Sequence, residues 1–521
     1  MIRPHCPSTI ANCFSPSAQE THLQEGGIAL GLSLKLDRQA GPALYQQLAE
    51  QIKLQIVQGR LPAGTQLPTV RELARTLGVT RVTVQMAYHE LQNAGLVEAT
   101  VGRGTFVSRH VEARPPAQSL GRQLTPDAVV NDILQLGQIA GLRSLADAAP
   151  DASLFPAQEF WQALDECRGE ALEMVRYGAS QGDPLLRVEV ARLLQDRGMA
   201  VTPDEVLIVA GVTQGLALVA QALARPGEPV LVEQPTYLGF LHTLKAHGVQ
   251  PLAVPLDEEG PIPEAVERLA IQQRPRFFYT VPTFQNPTGV CATPARRAQL
   301  LALAEQYGFL LVEDDLYARL SYEGPPPPAV KSLDRSESVI HVGGFSKLLM
   351  PGLRLGYVVA PPPIHERLLS LRRAMDLCSP PLLQRALARF LHEDGLKRHL
   401  RRVLPLYRQR RDALLAALRH HMPPAVQWTR PQGGFCVWLT LPRRSTLADL
   451  QQAALQQGWA FAPGEVFLTR PSPDYHLRLC FGAQPPEWIA QGVEVLANLI
   501  RERLDRQESV IEPPSDWLPL V

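Results

Sequence analysis

The chain predicts two folded parts of unlike class: a small winged helix-turn-helix (α+β) unit near the N-terminus, then a large α/β unit with its own smaller subdomain. Three observations carry this. At 521 residues the chain exceeds one ordinary hydrophobic core. Two short helical patterns joined at Gly78 precede a Gly102-Arg103-Gly104 ribbon. From about residue 141 onward, β-rich apolar runs alternate with helical patterns, as in an open parallel sheet. The expected boundaries are a tail at 1–30, the winged unit at 31–110, a linker at 111–140, the large unit at 141–505 and a C-terminal tail at 506–521.

Bulk properties exclude more than they assign. Lys+Arg and Asp+Glu are both 51, so no global charge drives the chain toward nucleic acid or membrane. Hydrophobic content is 45%, as in globular proteins, and no apolar run is long enough to span a bilayer. The seven cysteines are odd in number, scattered, and without zinc-ligand spacing. A reducing, cytoplasmic setting is expected, with no metal. The first residues lack a basic segment followed by an apolar core, so no secretory signal is expected.

In the first unit, Leu32–Asp37 alternates like a strand, and Leu44, Leu48, Ile52 and Ile56 mark an amphipathic helix stopped at Gly59. Thr69 is placed to cap a helix carrying Leu73, Ala74 and Leu77. Thr80 caps a third with Val84, Ala87, Tyr88 and Leu91 inward, ending at Gly95. Leu96–Thr100 and Thr105–Val107 form the wing. From Leu36 to His110 there are eight Lys or Arg against five acids, a local net of +3. Thr80, Arg81, Thr83 and Gln85 at the start of the third helix suit contact with base edges or phosphates in a major groove. Arg71 suits a phosphate, and Arg103 at the wing tip suits a phosphate or the minor groove.

The stretch resembles the GntR-type winged helix-turn-helix domain. Pro42–Tyr45, Gly59–Gly64, Leu67–Ala74, Leu77–Val84, Ala87-Tyr88 and Gly102–Val107 carry the resemblance. Residues 111–140, with Pro115-Pro116 and Pro126, read as a semi-flexible tether holding one or two helical turns around Val129–Leu136.

In the large unit the expected strands are Val206–Ala210, Pro229–Glu233, Gln250–Val254, Phe277–Thr280, Phe309–Glu313, Val339–Val342 and Gly356–Val359. Unusual polar residues follow these strands, where open sheets collect ligands. Gly211-Val212-Thr213 opens a helix and offers free amides to a phosphate. Tyr237 can stack on a flat ring, Asn286 can donate to a phenolic oxygen, and Asp314 can hold a pyridine nitrogen protonated. Lys347, after His341-Val342-Gly343-Gly344-Phe345-Ser346, can form a Schiff base with a carbonyl cofactor, and Arg354 can take its phosphate.

Taken together these segments resemble the fold-type-I aminotransferases related to aspartate aminotransferase. The resemblance implies pyridoxal 5'-phosphate (PLP) bound to Lys347 as the catalytic lysine. It implies Asp314 on the pyridine nitrogen, Asn286 and Tyr317 on the phenolic oxygen, and Tyr237 over the ring. It assigns Arg354, Ser346 and the Val212 and Thr213 amides to the phosphate, and Arg478, in His476–Phe481, to a substrate carboxylate. Tyr177 matches a residue that reaches the partner subunit's phosphate, which implies a homodimer with shared sites. One departure is Gly344, where the family usually has a serine or threonine.

The two resemblances in one chain are the arrangement of the MocR family of transcriptional regulators. The expected function is a cytoplasmic, PLP-dependent regulator that binds operator DNA at paired half-sites. It would sense an amine or amino-acid effector through external aldimine formation. The alternatives are an active aminotransferase with an appended DNA-binding domain, and a sensor of PLP itself.

Overall fold

The computed structural model describes residues 34, 36, 43–57, 61, 64–93, 96–100, 104–108, 142–441 and 449–508. The 1–30 tail, Gly59, Gly95, Arg103, the 111–140 linker with its expected helical turns, and the chain beyond Glu508 lie outside the described residues. Of the Leu32–Asp37 alternation only Leu34 and Leu36 are described. Neither is in a strand, and both pack on the core of the first unit.

Two compact units result, Met1–Ser119 and Leu120–Val521. In the first, α1 (Leu44–Val57), α2 (Val70–Leu77) and α3 (Arg81–Asn93) precede the antiparallel wing strands β1 (Val97–Thr100) and β2 (Gly104–Val107). Local chemistry sets the helix ends. Thr69 Oγ1 accepts from Glu72 N–H at 3.3 Å while Glu72 Oε2 accepts from Thr69 N–H at 3.0 Å, a reciprocal capping box. Gly78 closes α2 with φ of 61°, a left-handed turn that favours glycine. Leu48, Ile52, Ile56, Val84, Ala87 and Leu91 are buried together. Each large aliphatic among them stabilises by about 2 kcal/mol through removal from water.

The second unit is built on an eight-stranded sheet. After β3 (Arg143–Ser144) come β4 (Val206–Val209), β5 (Pro229–Gln234), β6 (Gln250–Asp257), β7 (Gly260–Pro261), β8 (Phe277–Thr280), β9 (Leu310–Asp314), β10 (Val339–Gly344) and β11 (Gly356–Val359). The spatial order is β4-β11-β10-β9-β8-β5-β6-β7. Side chains alternate between two apolar layers, as a strand's period of two requires. Phe277 and Tyr279 join one cluster with the helices Val212–Leu223 and Leu238–Ala246. Phe278 joins the other with Pro263–Gln273 and Pro294–Tyr307.

Besides the short β7, antiparallel to β6, one strand expected from the sequence differs from the parallel pattern. β11 is antiparallel to both β10 and β4. A parallel neighbour needs a crossover of a dozen or more residues, usually through a helix. Here only residues 345–355, with a short 3-10 turn at Pro351–Leu353, join β10 to β11, so the chain turns back on itself. Lys347 lies in that return.

A smaller sheet completes the unit: β12 (Gln427–Trp428), β13 (Cys436–Leu441), β15 (Ala462–Pro463) and β16 (Tyr475–Cys480), in the order β12-β13-β16-β15. β14 (Trp459–Ala460) pairs with β3. The helices Gly395–His421 and Pro486–Glu508 share a core with this sheet through Leu414, Leu418, Val493 and Leu496. The last helix runs three residues past 505, the expected end of the large unit. No helix among the described residues is long and apolar enough to cross a membrane.

Candidate functional site

In the first unit, Arg71, Arg81 and Gln85 are exposed. Thr80 Oγ1 accepts from Thr83 N–H at 3.2 Å and lies 2.8 Å from Thr83 Oγ1, so both hydroxyls serve the start of α3. Thr83 is half-buried. The outward face of α3 instead includes Val82, 61% exposed, and Met86, 45% exposed. The periodicity turns Arg81, Thr83 and Gln85 outward and names neither of these two; Arg81 and Gln85 are exposed as expected, while Thr83 turns partly inward. Arg103 lies outside the described residues.

In the second unit the strand ends converge. Asp314 is the last residue of β9, fully buried, and has no ion pair among the described residues. Tyr279 O–H donates to its Oδ2 at 2.9 Å and Leu316 N–H to its Oδ1 at 3.3 Å. Burial outweighs these bonds and pushes the carboxyl up to about 6. A carboxylate so placed lacks a cation. Tyr279 was missed in the sequence, although a tyrosine in the all-buried strand Phe277–Thr280 must find a polar partner for its hydroxyl.

Asn286 links two groups from separate parts of the unit. Its Nδ2 donates to Tyr317 Oη at 3.3 Å, and its Oδ1 accepts from Arg478 Nη1 at 2.9 Å. Arg478 Nη2 donates to the Ala146 carbonyl at 2.5 Å. The guanidinium stacks on Phe467 at 4.6 Å, and its buried Nε has no partner. Tyr237 is half-buried and within the fields of Asp314, Arg478 and Arg354. Burial holds the Lys347 amine below its ordinary value, while the Asp147 carboxylate opposes the shift. Asp147, a second residue missed in the sequence, lies in a stretch without a motif.

The phosphate end is a cradle. Gly211, with φ of 85°, precedes the helix Val212–Leu223. A Cβ there would stand 3.0 Å from Arg354 Nη2, so the missing side chain admits the guanidinium over the helix start. Arg354 Nη2 also donates to the Ala210 carbonyl at 3.3 Å. At Gly344 a Cβ would meet Val212 Cγ2 at 3.1 Å and the Leu355 carbonyl at 3.4 Å, a physical reason for glycine there. Ser346 is half-buried in the return turn. Tyr177 is 86% exposed and is not brought to this cluster.

These features fit PLP. A helix start with an arginine suits its phosphate. A buried carboxylate without a cation suits its pyridinium, and an amine held below its ordinary value suits bonding to its carbonyl carbon.

Comparison with known proteins agrees. Residues 145–496 match the aminotransferase class I and II family, and residues 44–107 match the gntR family of bacterial regulatory proteins. The chain is 30% identical to YdfD, an uncharacterized HTH-type transcriptional regulator of Bacillus subtilis, over 89% of this chain and 97% of that protein. It is 33% identical to the HTH-type regulator YdcR of Escherichia coli, over 88% and 99%. Among solved structures it resembles LysN, the α-aminoadipate aminotransferase of Thermus thermophilus, complexed with a phosphopyridoxyl-leucine. That match has a TM-score of 0.68 and 34% identity, covering 75% of this chain and 98% of that one.

Proposed function

The chain belongs to the aminotransferase class I and II family and carries a gntR-family regulatory domain ahead of it, and from that premise we propose how its PLP-dependent, DNA-binding regulator function is switched. The effector is an amine or amino acid that competes with Lys347. Bound PLP supplies a carbonyl carbon that can exchange the lysine amine for an incoming primary amine. The protein's own residues do the rest. Arg354, Ser346 and the Val212 and Thr213 amides hold the phosphate. Asp314 keeps the ring nitrogen protonated. Asn286 and Tyr317 orient the phenolic oxygen, and Tyr237 covers the ring. Arg478 offers its free Nε edge to a carboxylate.

The observation that carries this reading is the coupling of Arg478 to Asn286, which ties effector recognition to the cofactor cradle. A ligand shifts an equilibrium only by its differential affinity for the two states, and a carboxylate that draws Arg478 away from Asn286 would create such a difference. Arg71, Arg81, Gln85 and Arg103, with Thr80 and Thr83 ordering the start of α3, are the proposed DNA contacts. The protein acts in the cytoplasm as a homodimer on paired half-sites. Trp161, Leu172, Val175 and Tyr177, all more than half exposed within one short stretch, support a face for a second copy.

The test is effector-dependent DNA binding by the full-length protein and by Lys347→Ala. Loss of the response with basal DNA binding retained supports the proposal. An unchanged response removes Lys347 exchange as the switch. Steady multiple turnover with amino donors and keto acids would favour the working aminotransferase instead.

A further inference from the structure

Two cysteines 44 positions apart stand face to face beside the proposed effector grip. Cys436 of β13 and Cys480 of β16 are direct partners in the antiparallel register. The neighbouring pair is bonded, Phe481 N–H donating to the Phe435 carbonyl at 3.1 Å. The 436/480 pair therefore takes the non-hydrogen-bonded position, where Cα atoms approach to about 4.5 Å. A disulfide spans Cα separations of about 4.4–6.8 Å. The Sγ atoms are 3.8 Å apart, and both residues are buried in a small cluster with Ala148.

Their remaining contacts bear on Arg478. Cys436 S–H points at Asn286 Oδ1, 3.7 Å away, and Cys480 S–H at the Ala146 carbonyl, 3.8 Å away. Those two oxygens also hold Arg478 Nη1 and Nη2. The thiol pair and the guanidinium thus share both acceptors.

We propose that Cys436 and Cys480 form a reversible disulfide on exposure to a hydroperoxide, and that this bond and a carboxylate-bearing effector oppose each other through Arg478. The Cys436 thiolate attacks one peroxide oxygen, the O–O bond breaks, and the hydroxide or alkoxide leaves as water or an alcohol with the proton that the Cys436 thiol gave up. The resulting sulfenic acid is attacked by the Cys480 sulfur. An S–S bond forms, and hydroxide leaves as water with the Cys480 proton. Two thiols lose two electrons and the peroxide gains them. A dithiol reverses the reaction by exchange. The two cysteines suit unequal roles. Although burial works against it, the neighbouring Cys480 sulfur and then the Arg478 and Lys347 charges hold the Cys436 thiol below its ordinary value. Burial pushes Cys480 well above its own.

Closing the sulfurs to about 2.05 Å removes both S–H donors from Asn286 and Ala146. The two oxygens are then left to Arg478 alone, which is held more firmly in its resting contacts and away from an incoming carboxylate. The coupling part of the proposal rests on the reading of Arg478 given above; the disulfide does not.

The experiment uses the full-length holoprotein, reduced or treated with hydrogen peroxide. Peptide masses are taken without reduction, and binding of the common L-amino acids is followed by cofactor absorbance. The expected result is a mass loss of two hydrogens mapped to the peptides of Cys436 and Cys480, restored by dithiothreitol. Amino-acid affinity should fall about 10-fold in the oxidised form, within the usual range of coupling between sites. Cys480→Ser should abolish both effects, and the mass measurement needs no variant. Free thiols at 436 and 480 after treatment, with oxidation confined to other cysteines, overturn the disulfide. A disulfide with unchanged amino-acid affinity overturns the coupling. If no amino acid perturbs the reduced protein, the reading of Arg478 falls and the coupling with it, while the disulfide is decided by mass alone.

Discussion

Replacing Asp314 by Asn should move two measurements in opposite directions. The carboxyl is buried without a cation and is raised from an ordinary value of 3.8 to about 6. The difference of roughly 2 units corresponds to about 3 kcal/mol against the charged form, and about 1–2 kcal/mol after the compaction of real unfolded chains is allowed for. The sign follows from proton uptake. Between the two values the folded apoprotein holds the proton and the unfolded chain does not, so stability falls as pH rises through this window. Above about pH 6 the full cost is present. Asp314→Asn removes the charge, so the variant apoprotein should be more stable than the native apoprotein at neutral pH, with no advantage below pH 4. PLP binding should weaken, because the partner of its ring nitrogen is gone. Glu233, raised to about 7 by burial and in part by the Asp314 charge, adds a pH dependence of the same sign. Asp314→Asn also removes the Asp314 contribution to the Glu233 rise, so the difference between native and variant curves reports residue 314 together with that smaller relief at Glu233. The assay is thermal unfolding of apoprotein across pH 4–8, with PLP titrations at neutral pH. A variant apoprotein less stable than native at neutral pH, or PLP bound equally well by both, refutes the reasoning.

Other outcomes follow from single contacts. Arg478→Lys keeps the charge but loses the planar fork between Asn286 and Ala146. Carboxylate-bearing effectors should bind about 10- to 100-fold more weakly, with amines lacking a carboxylate little affected, as a competition series in cofactor absorbance would show. Gly344→Ser places a Cβ 3.1 Å from Val212 Cγ2, so thermal stability should fall by about 1–3 kcal/mol without tighter PLP binding. Arg71→Ala should lower DNA affinity across sequences and reduce the salt slope by about 1 in titrations at several ionic strengths. Tyr88→Phe removes the O–H donor to the Pro68 carbonyl at 2.8 Å, costing the winged unit about 1 kcal/mol in denaturant unfolding.

How much of this could be read beforehand depends on the range of the forces involved. Phe277–Thr280 and Gly356–Val359 match the expected strands, and the others begin or end within three residues, because alternation and flanking turn residues are local signals. The caps at Thr69 and Thr80 are local for the same reason. The direction of β11 was not legible, since it depends on whether a connecting segment forms a crossover helix. The shared acceptors of Arg478, Cys436 and Cys480 were hidden too. Cys436 and Cys480 looked scattered because only the register of β13 against β16 makes them neighbours. Gly344 shows the reverse case: the residue stands out in sequence, and its reason lies in Val212, more than a hundred positions away.

The turned-back strand also divides the labour of motion. β11 is laddered to β10 on one side and to β4 on the other, so both ends of the Lys347 segment are anchored in the broad sheet. β4 leads directly into the Gly211 cradle. Lysine and phosphate seat therefore form one fixed jaw, whose spacing an effector cannot alter cheaply. Arg478 belongs to the smaller sheet and reaches this jaw through one side-chain contact with Asn286. Under the proposed switch, the response to a ligand falls to the smaller sheet as the moving jaw, and its travel is the displacement a signal would carry.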